Sequence, residues 1–198
     1  MANPEYGVKA AVPGDLDAIC ELDIALSAHL QLLGQYDLGF QSGESTEVRN
    51  FRRRSEIGRC IDPNAEDSTC RVARRVGSRA IVGFDLAATY DFPLTLDRDG
   101  PSLRTAVTHR MWVSPADRKW GVGTQLDAQV CKWAFGRSAV RMTVPVSEDN
   151  EVAKAFFMGR GYAQIDLDLE LRGRMGASVQ FEKTLWVPPP TQQRRSKG

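Results

Sequence analysis

The sequence is poor in histidine, and its cysteines lack the spacing of metal and redox sites. It contains two histidines and four cysteines in 198 residues, and no two cysteines have the C-x-x-C spacing of zinc and dithiol sites. We therefore expect no metal site. The N-terminus has no secretory signal pattern, so the four scattered cysteines are expected to stay reduced.

The sequence also lacks an excess of charge of one sign and any long apolar run. Its 26 lysines and arginines nearly balance 25 aspartates and glutamates, which argues against nucleic-acid binding driven by bulk charge. No apolar stretch approaches the ~20 residues that a membrane-spanning helix needs. These absences favour a soluble, cytoplasmic protein without a membrane or nucleic-acid partner.

Hydrophobic periodicity indicates strands and helices in an order that fits one domain. Strands are predicted at 8–12, 70–76, 80–90, 103–113, 142–146, 162–171 and 177–186. Helices are predicted at 15–29, 45–60, 122–136 and 150–159. Strand–helix–strand units favour parallel pairing and hairpins favour antiparallel pairing. The predicted fold is therefore α/β, with a mixed central sheet of about seven strands flanked by about four helices.

The domain is expected to span residues 7–187, with a polar loop at 93–101 and a disordered basic tail at 188–198. The second predicted helix carries Arg52-Arg53-Arg54, which form either a solvated face or the basic rim of a cleft. His29 lies near the end of the first predicted helix, where it is expected to stabilise the helix terminus or face solvent.

A glycine-rich turn between the fourth predicted strand and the third predicted helix is the most informative segment. Glycines there let a ligand approach the backbone, and the first amides of the following helix attract anions. Arg118 and Lys119 add positive charge, so the turn suits a pyrophosphate. The alternative is a tight turn with solvating charges. The P-loop pattern is absent, and Leu126 stands where the dinucleotide fingerprint needs its third glycine.

Three motifs in order resemble the GNAT family of N-acetyltransferases. The turn Arg118-Lys119-Trp120-Gly121-Val122-Gly123 matches the family's Arg/Gln-x-x-Gly-x-Gly/Ala element. The later stretch Asn150-x-x-Ala153-x-x-Phe156-Phe157, followed by Gly161-Tyr162, is similar to its Asn-x-x-Ala-x-x-Leu-Tyr…Gly-Phe stretch. The early Val12-Pro13-Gly14-Asp15-Leu16 resembles its first strand-to-helix junction. The resemblance covers residues 7–187 and implies a GNAT-like fold, splayed between strands 4 and 5.

The resemblance implies that acetyl-CoA binds in the splayed gap. The backbone of Met111, Trp112 and Val113 is then expected to pair with the pantetheine arm. The pyrophosphate is expected on the turn formed by Arg118, Lys119, Trp120, Gly121, Val122, Gly123 and Thr124. Asn150 is expected to reach the CoA chain, to cap the fourth helix, or to do both. Phe157 is expected to pack against the pantetheine arm.

The resemblance also implies catalytic roles. The backbone N–H of Val113 corresponds to the family's donor to the thioester carbonyl. Phe157 stands where many members have a tyrosine that acts as the general acid. Either water or Tyr162 is therefore expected to protonate the leaving thiolate, or the protein is expected to bind CoA with weak turnover. No glutamate base lies on the fourth strand. His109 lies an even number of residues from Met111 and Val113, so strand alternation predicts that the three side chains share one face of the sheet. His109 is therefore the candidate base. The alternative is a histidine that is hydrogen-bonded beneath the cofactor.

The predicted function is an acetyl-CoA-dependent N-acetyltransferase that acetylates a primary amine of a small molecule or peptide by direct attack in a ternary complex. The alternative is an acyl-CoA-binding regulatory module with weak or no turnover. Arg52 to Arg54 would favour a carboxylated acceptor, and a cationic amine would be attracted by Asp85, Asp91, Asp97 or Asp99. A homodimer is compatible with the resemblance.

Overall fold

The computed structural model describes residues 5–32, 45–93, 102–165 and 178–185, which form seven strands and four α-helices. The strands are β1 (Tyr6–Ala10), β2 (Ser68–Arg75), β3 (Ile81–Pro93), β4 (Ser102–Val113), β5 (Arg141–Ser147), β6 (Ala163–Ile165) and β7 (Ser178–Thr184). The helices are α1 (Leu16–Leu32), α2 (Thr46–Ile61), α3 (Val122–Gly136) and α4 (Glu151–Gly159). The predicted fold class is confirmed. The predicted loop beyond residue 93, the end of the sixth predicted strand and the tail lie outside the described residues.

Side chains cap the beginnings of two helices. The Ser45 hydroxyl accepts a hydrogen bond from the Val48 amide at 3.3 Å, before α2. The Asn150 side-chain oxygen accepts one from the Ala153 amide at 3.0 Å, before α4. Each bond satisfies an amide that has no partner within its helix. The prediction that Asn150 caps the fourth helix is thus confirmed.

The described strands form one sheet with the order β1-β2-β3-β4-β5-β7-β6, and among them only β4 and β5 pair in parallel. Three consecutive residues of β4, Thr105 to Val107, pair with three of β5, Arg141 to Thr143. Beyond these pairs both strands continue, β4 to Val113 and β5 to Ser147, without pairing to each other. The predicted splay between strands 4 and 5 is therefore present.

Pro145 lies in β5 just beyond its last pair with β4. It is in register with Gln180 of β7, so β5 is an interior strand and Pro145 does not mark an edge. Proline cannot donate a ladder hydrogen bond. Because β4 has already separated from β5 at this point, the missing N–H leaves no β4 acceptor unpaired. The interpretation of Pro145 as a mark of the gap fits the sheet.

Helices cover both faces of the sheet. On one face α1 and α2 pack over strands β2 to β4, around the buried Ile19, Ile57, Phe84 and Trp112. On the other face α3 and α4 pack over a core that includes Leu126 and residues of β4, β5 and β7. Within the described residues, none of the helices combines the length and apolar character that a membrane-spanning helix requires.

A β-bulge interrupts the ladder between β3 and β4. Leu86 is in register with Arg110, whereas the next residue, Ala87, is in register with Thr108. His109 is therefore the extra residue of β4. A bulge breaks the alternation of side chains and turns two successive residues toward the same face. His109 and Arg110 both point toward the face that α1 and α2 cover.

The bulge overturns the prediction that His109 shares a face with Met111 and Val113. Met111 and Val113 pack against the α3 side of the sheet, in a cluster with Leu126. His109 instead contacts Tyr90, whose hydroxyl lies 3.0 Å from the imidazole Nε2. Strict period-2 alternation holds only in an uninterrupted ladder, and the sequence carries no marker of the interruption.

A buried ion network ties α1 and α2 to β4. The Asp23 carboxylate is fully buried, and it accepts hydrogen bonds from Arg53 of α2 and from Arg110 of β4, the latter at 2.8 and 3.0 Å. Arg54 instead pairs at the surface with Asp17. The interpretation of the three arginines as one solvated face or cleft rim is therefore wrong for Arg53, which lies inside the protein.

We expect Asp23→Asn to lower the free energy of unfolding by about 3–5 kcal/mol, because it leaves two buried guanidinium groups without their counter-charge. Urea denaturation followed by circular dichroism measures the loss. The matched control is Asp17→Asn, which breaks an exposed pair and should change stability by less than about 1 kcal/mol. Equal effects of the two substitutions would contradict a structural role for the network.

Candidate active site

A groove opens where β4 and β5 separate. Its larger part is a cavity of about 760 Å³ between the end of β4, the first turns of α3 and α4, and the last turns of α1. This volume lies in the range of small-molecule sites, about 300–1,000 Å³. The predicted cofactor-binding residues that line it are Met111, Trp112, Val113, Arg118, Lys119, Gly121, Val122, Gly123, Thr124, Asn150 and Phe157. Trp120 does not line the cavity, and its side chain is 46% exposed.

The turn before α3 presents backbone to this cavity. Gly121 is the N-cap residue of α3 and adopts φ +79°, a conformation that favours glycine. Lys119, two residues before it, also has a positive φ, of 67°. At Gly123 an added Cβ would lie 3.2 Å from the Phe156 ring, so a larger residue there would push that ring aside by a few tenths of an ångström. The resulting helix N-terminus directs unpaired amides toward the groove, as an anion site requires.

Arg118 is held in place beside the cavity. Its Nε donates a hydrogen bond to the Val113 carbonyl at 3.0 Å, and its guanidinium stacks over the Trp112 ring at 4.5 Å. Partial burial lowers the pKa of Arg118, which nevertheless stays charged near neutral pH. His29 also contacts Trp112, with ring centroids 5.1 Å apart, and it lines the groove. The expectation that His29 only ends a helix or faces solvent missed this contact.

The backbone of Val113 faces the gap between the strands. Ser114 donates to the Val82 carbonyl at 2.8 Å, which makes the opposed Val113 and Gly83 a non-hydrogen-bonded pair of the antiparallel ladder. The N–H and C=O of Val113 therefore point away from β3 and toward the side where β5 has separated. A donor in this position suits a developing negative charge on a bound carbonyl.

A second cavity, of about 240 Å³, adjoins the first beyond Met111. Its walls come from β4, β5 and the middle of α2. The residues that it does not share with the larger cavity are Glu56, Thr108, His109, Arg110, Val144, Pro145, Val146 and Ser147. Sequence analysis missed Glu56 and Thr108, because the face of α2 and the position in β4 that meet the groove depend on the docking of the helix and on the bulge.

His109 is a neutral imidazole at the wall of the second cavity. The residue keeps exposed surface, yet the protein around it desolvates the ring, and the charges of Arg59 and Arg110 add to this effect. Together they lower the pKa of His109 to about 4. The imidazole is therefore unprotonated at neutral pH. It is free to accept a proton there, but it is a weaker base than an ordinary histidine.

Phe157 and Tyr162 pack against each other below the groove, and both side chains are buried. Phe157 lines both cavities and meets Tyr162 edge-on, with ring centroids 5.3 Å apart. The Tyr162 hydroxyl points away from the groove and donates to Asp127 at 2.8 Å. Burial, with Cys131 and Asp127 nearby, raises the pKa of Tyr162 well above its ordinary value. The hypothesis that Tyr162 protonates a leaving thiolate does not fit this position.

The acidic residues that the sequence analysis predicted to attract a cationic amine are, where the structure describes them, buried or paired with an arginine. Asp85 is fully buried beneath the sheet on the α3 side. Burial, together with the charge of Asp127, raises its pKa well above the ordinary value. Asp91 pairs with Arg104 at 3.5 Å. The remaining two predicted acids, Asp97 and Asp99, lie outside the described residues.

No cluster of three or more histidine, cysteine, aspartate or glutamate side chains in the described parts of the chain could hold a metal ion. The four cysteines are free thiols. Burial raises the pKa of Cys70 well above its ordinary value, and that of Cys131 to about 11, so neither forms a thiolate readily at neutral pH.

Residues 39–162 match the sequence model described as the acetyltransferase (GNAT) family. This match spans more than half of the chain and includes the turn before α3 and the whole of α4. No curated protein matches the sequence.

Several solved structures share the fold. One is the PaiA N-acetyltransferase from Thermoplasma acidophilum in complex with coenzyme A, at 15% identity and a TM-score of 0.64, covering 91% of this chain and 99% of that one. A GNAT acetyltransferase from Staphylococcus aureus has 12% identity and a TM-score of 0.61 over 92% and 100%. The aminoglycoside acetyltransferase AAC(6')-Iy, with a CoA-containing bisubstrate analogue, has 15% identity and a TM-score of 0.58 over 83% and 95%.

We expect the imidazole of His109 to titrate with a midpoint near 4 in the folded protein, as measured by NMR of the ring protons, with His109→Gln used to assign the signal. The unfolded imidazole takes up its proton near pH 6.5. Between these values the unfolded state binds more protons, so wild-type stability should fall relative to His109→Gln as the pH drops from 6.5 to 4. A folded-state midpoint near 6.5 would contradict the desolvated position.

Proposed function

Because the chain belongs to the acetyltransferase (GNAT) family, we propose that it is an acetyl-CoA-dependent N-acetyltransferase. It transfers the acetyl group to a primary amine of a small molecule or peptide by direct attack in a ternary complex. The observation that supports this most strongly is the continuity of the groove: a large cavity at the α3 N-terminus adjoins a smaller one at a neutral histidine. Two proteins of the same fold were solved with CoA or a CoA-containing analogue.

The larger cavity fits the CoA part of the donor. The α3 N-terminus would hold the pyrophosphate through the amides from Gly121 to Thr124, with Arg118 adding a fixed positive charge. Gly123 lets the first turn of α3 lie close to Phe156 of α4 at this end of the cavity. Met111 and Val113 turn backbone polar groups toward the gap, where the pantetheine amides would meet them. Bound acetyl-CoA supplies the acetyl thioester.

The acyl position lies at the end of β4. Val113 directs its N–H toward the gap, where it would donate to the thioester carbonyl oxygen as negative charge develops on it. Leu26, Leu30 and Phe157 provide apolar walls beside this position, and such walls would strengthen this hydrogen bond. These groups orient the thioester and stabilise charge without supplying a proton.

His109 would act late in the reaction. A group with a pKa of about 4 cannot readily remove a proton from an alkylammonium ion, whose pKa is about 10. The amine must therefore enter as the neutral form, with an N–H directed at His109. As the new C–N bond forms, the amine proton becomes acidic and the imidazole accepts it. Tyr90, bonded to Nε2, fixes the orientation of the ring.

A second candidate function is an acyl-CoA-binding module with weak turnover. The observation that favours it is the lack of a suitable acid, since the described lining of the two cavities contains neither tyrosine nor cysteine. Phe157 supplies no proton, and Tyr162 lies behind it. Efficient transfer would then rely on water to protonate the thiolate.

We expect His109→Gln to lower kcat/KM for acetyl transfer by about a hundredfold, the lower end of the usual contribution of a general base. Release of free thiol from acetyl-CoA with a panel of primary amines measures the rate. Tyr162→Phe keeps the ring and removes the hydroxyl, and it should change kcat by no more than about twofold once folding is verified by circular dichroism. A large loss in Tyr162→Phe would restore Tyr162 as the acid.

If the wild type binds CoA but releases no thiol above background with any amine, the binding module replaces the transferase as the better function. An unchanged rate in His109→Gln across pH 6–9 would remove His109 from the mechanism.

We expect Arg118→Ala to weaken CoA binding about ten- to hundredfold, because it removes a charged hydrogen-bond donor and the stacking partner of Trp112. Isothermal titration calorimetry measures the affinity. Arg54→Ala, which removes one arginine from an exposed pair, is the matched control and should leave binding unchanged. Equal affinities of the two variants would argue against a phosphate contact at Arg118.

A further inference from the structure

One face of α1 borders the larger cavity beside the end of β4. Leu26, His29 and Leu30 share this face, because they stand at positions i, i+3 and i+4 of the helix, and all three line the cavity. His29 is half-buried in the last turn of α1, and its ring contacts Trp112 with centroids 5.1 Å apart. This contact holds the imidazole next to the strand segment that ends at Val113.

The opposite wall of the cavity offers no proton to a leaving group. It comes from α4, where the Phe157 side chain has no exchangeable hydrogen and the Tyr162 hydroxyl behind it bonds to Asp127. Arg118 is no proton source either, because a guanidinium stays protonated in proteins. Of the described side chains that line this cavity, His29 is the only histidine, the residue type that exchanges protons most readily near neutral pH.

His29 also stands near the junction of the two cavities. Leu26, Leu30 and Phe157 line both cavities, so they mark this junction. With CoA in the larger cavity and the amine in the smaller one, the thioester would lie at the junction. His29 adjoins Leu30 in sequence and lines the larger cavity, which is the side that the sulfur of CoA would occupy.

We propose that the His29 imidazolium donates a proton to the sulfur of CoA as the thioester is cleaved. This rests on the proposed transferase function and names the general acid of the same site. When the C–S bond breaks, its electron pair stays on sulfur, and the proton moves from a ring nitrogen of His29 to that sulfur. His109 holds the proton of the amine. After the reaction His109 loses one proton to solvent and His29 regains one, so the amide and the free thiol are the net products.

The charges around His29 fit a protonated ring. The indole of Trp112, which His29 contacts, already has the Arg118 guanidinium stacked over it, and such a ring attracts cations. No described residue of α2 lines this cavity, and Glu56 of α2 lines only the smaller one. The charged residues that line the larger cavity are Arg118, Lys119, Asp149 and Glu151. The arginines that α2 and β4 direct toward α1, Arg53 and Arg110, are both bound to Asp23.

Bound CoA tests the contact without turnover. An imidazolium beside the sulfur favours the thiolate, so we expect the thiol of CoA bound to the wild type to ionise about one pH unit below that of CoA bound to His29→Phe. The ultraviolet absorbance of the thiolate, taken as the difference between CoA-bound and free protein, measures this ionisation. His29→Phe keeps an aromatic ring against Trp112 and removes only the proton donor and its charge.

The same variant tests catalysis. We expect His29→Phe and His29→Gln each to lower kcat for thiol release about a hundredfold, the lower end of the usual contribution of a general acid. CoA affinity, measured by calorimetry, should change by less than about threefold, since the proton transfer contributes to kcat rather than to binding. In the wild type kcat should fall on the alkaline side as the acid loses its proton, and both variants should lack this fall.

The control is Ile24→Gln, which changes a partly exposed side chain of α1 that lines neither cavity, and it should keep the wild-type kcat and thiol ionisation. An unchanged kcat in His29→Gln overturns the inference and leaves the transferase. Full activity of His29→Phe overturns it too, because a ring contact with Trp112 would then be sufficient.

Failure of the proposed function has a different signature. If the wild type releases no thiol with any amine, the transferase is contradicted. In that protein a thiol ionisation that depends on His29 supports the contact between His29 and the sulfur. Equal thiol ionisation in the wild type and His29→Phe overturns the inference, whether or not acetyl transfer occurs.

Discussion

The groove exists because β4 and β5 stop pairing after three residues. In the interior of a sheet, backbone N–H and C=O groups normally pair with those of the neighbouring strands. In the second half of β4 and of β5, the backbone groups of each strand are not paired with the other strand. Val113 turns its N–H into that space, and Pro145, which has no N–H to lose, occupies the corresponding part of β5. The separation also leaves room between the strands for the two adjoining cavities. A ligand with its own amide groups can pair with a strand in this state, as an added strand would.

The smaller cavity depends on a second constraint, the buried contact of Asp23 with Arg53 and Arg110. It fixes α1 and α2 against β4 at the point where the bulge has turned His109 and Arg110 to the same face. Buried ion pairs contribute little net stability but tolerate few alternative arrangements. The same pairing gives Arg110 a buried counter-charge.

The two ends of the groove, at the α3 N-terminus and at the bulge in β4, differ in their electrostatics. At the α3 terminus, amides and Arg118 favour an anion. At the bulge, desolvation and two arginines keep His109 neutral, which suits it to receive a proton late rather than to remove one early. The missing acid at Phe157 fits the same pattern, since the groove offers polar groups that orient and stabilise charge but few that donate protons. In the proposed transferase reaction, the amine would therefore have to arrive in its neutral form.

The order of elements, the fold class and most of the residues that line the larger cavity could be predicted from the sequence, because periodicity and the turn at Gly121 and Gly123 are local properties. The cap at Asn150 is local for the same reason. The tertiary structure alone decided that His109 leaves the face of Met111, that Tyr162 faces Asp127 behind Phe157, that Arg53 is buried, and that Glu56 lines the smaller cavity. Each of these depends on a register shift or on how a helix docks on the sheet. Such choices are made by contacts between residues far apart in the chain, and no local pattern records them.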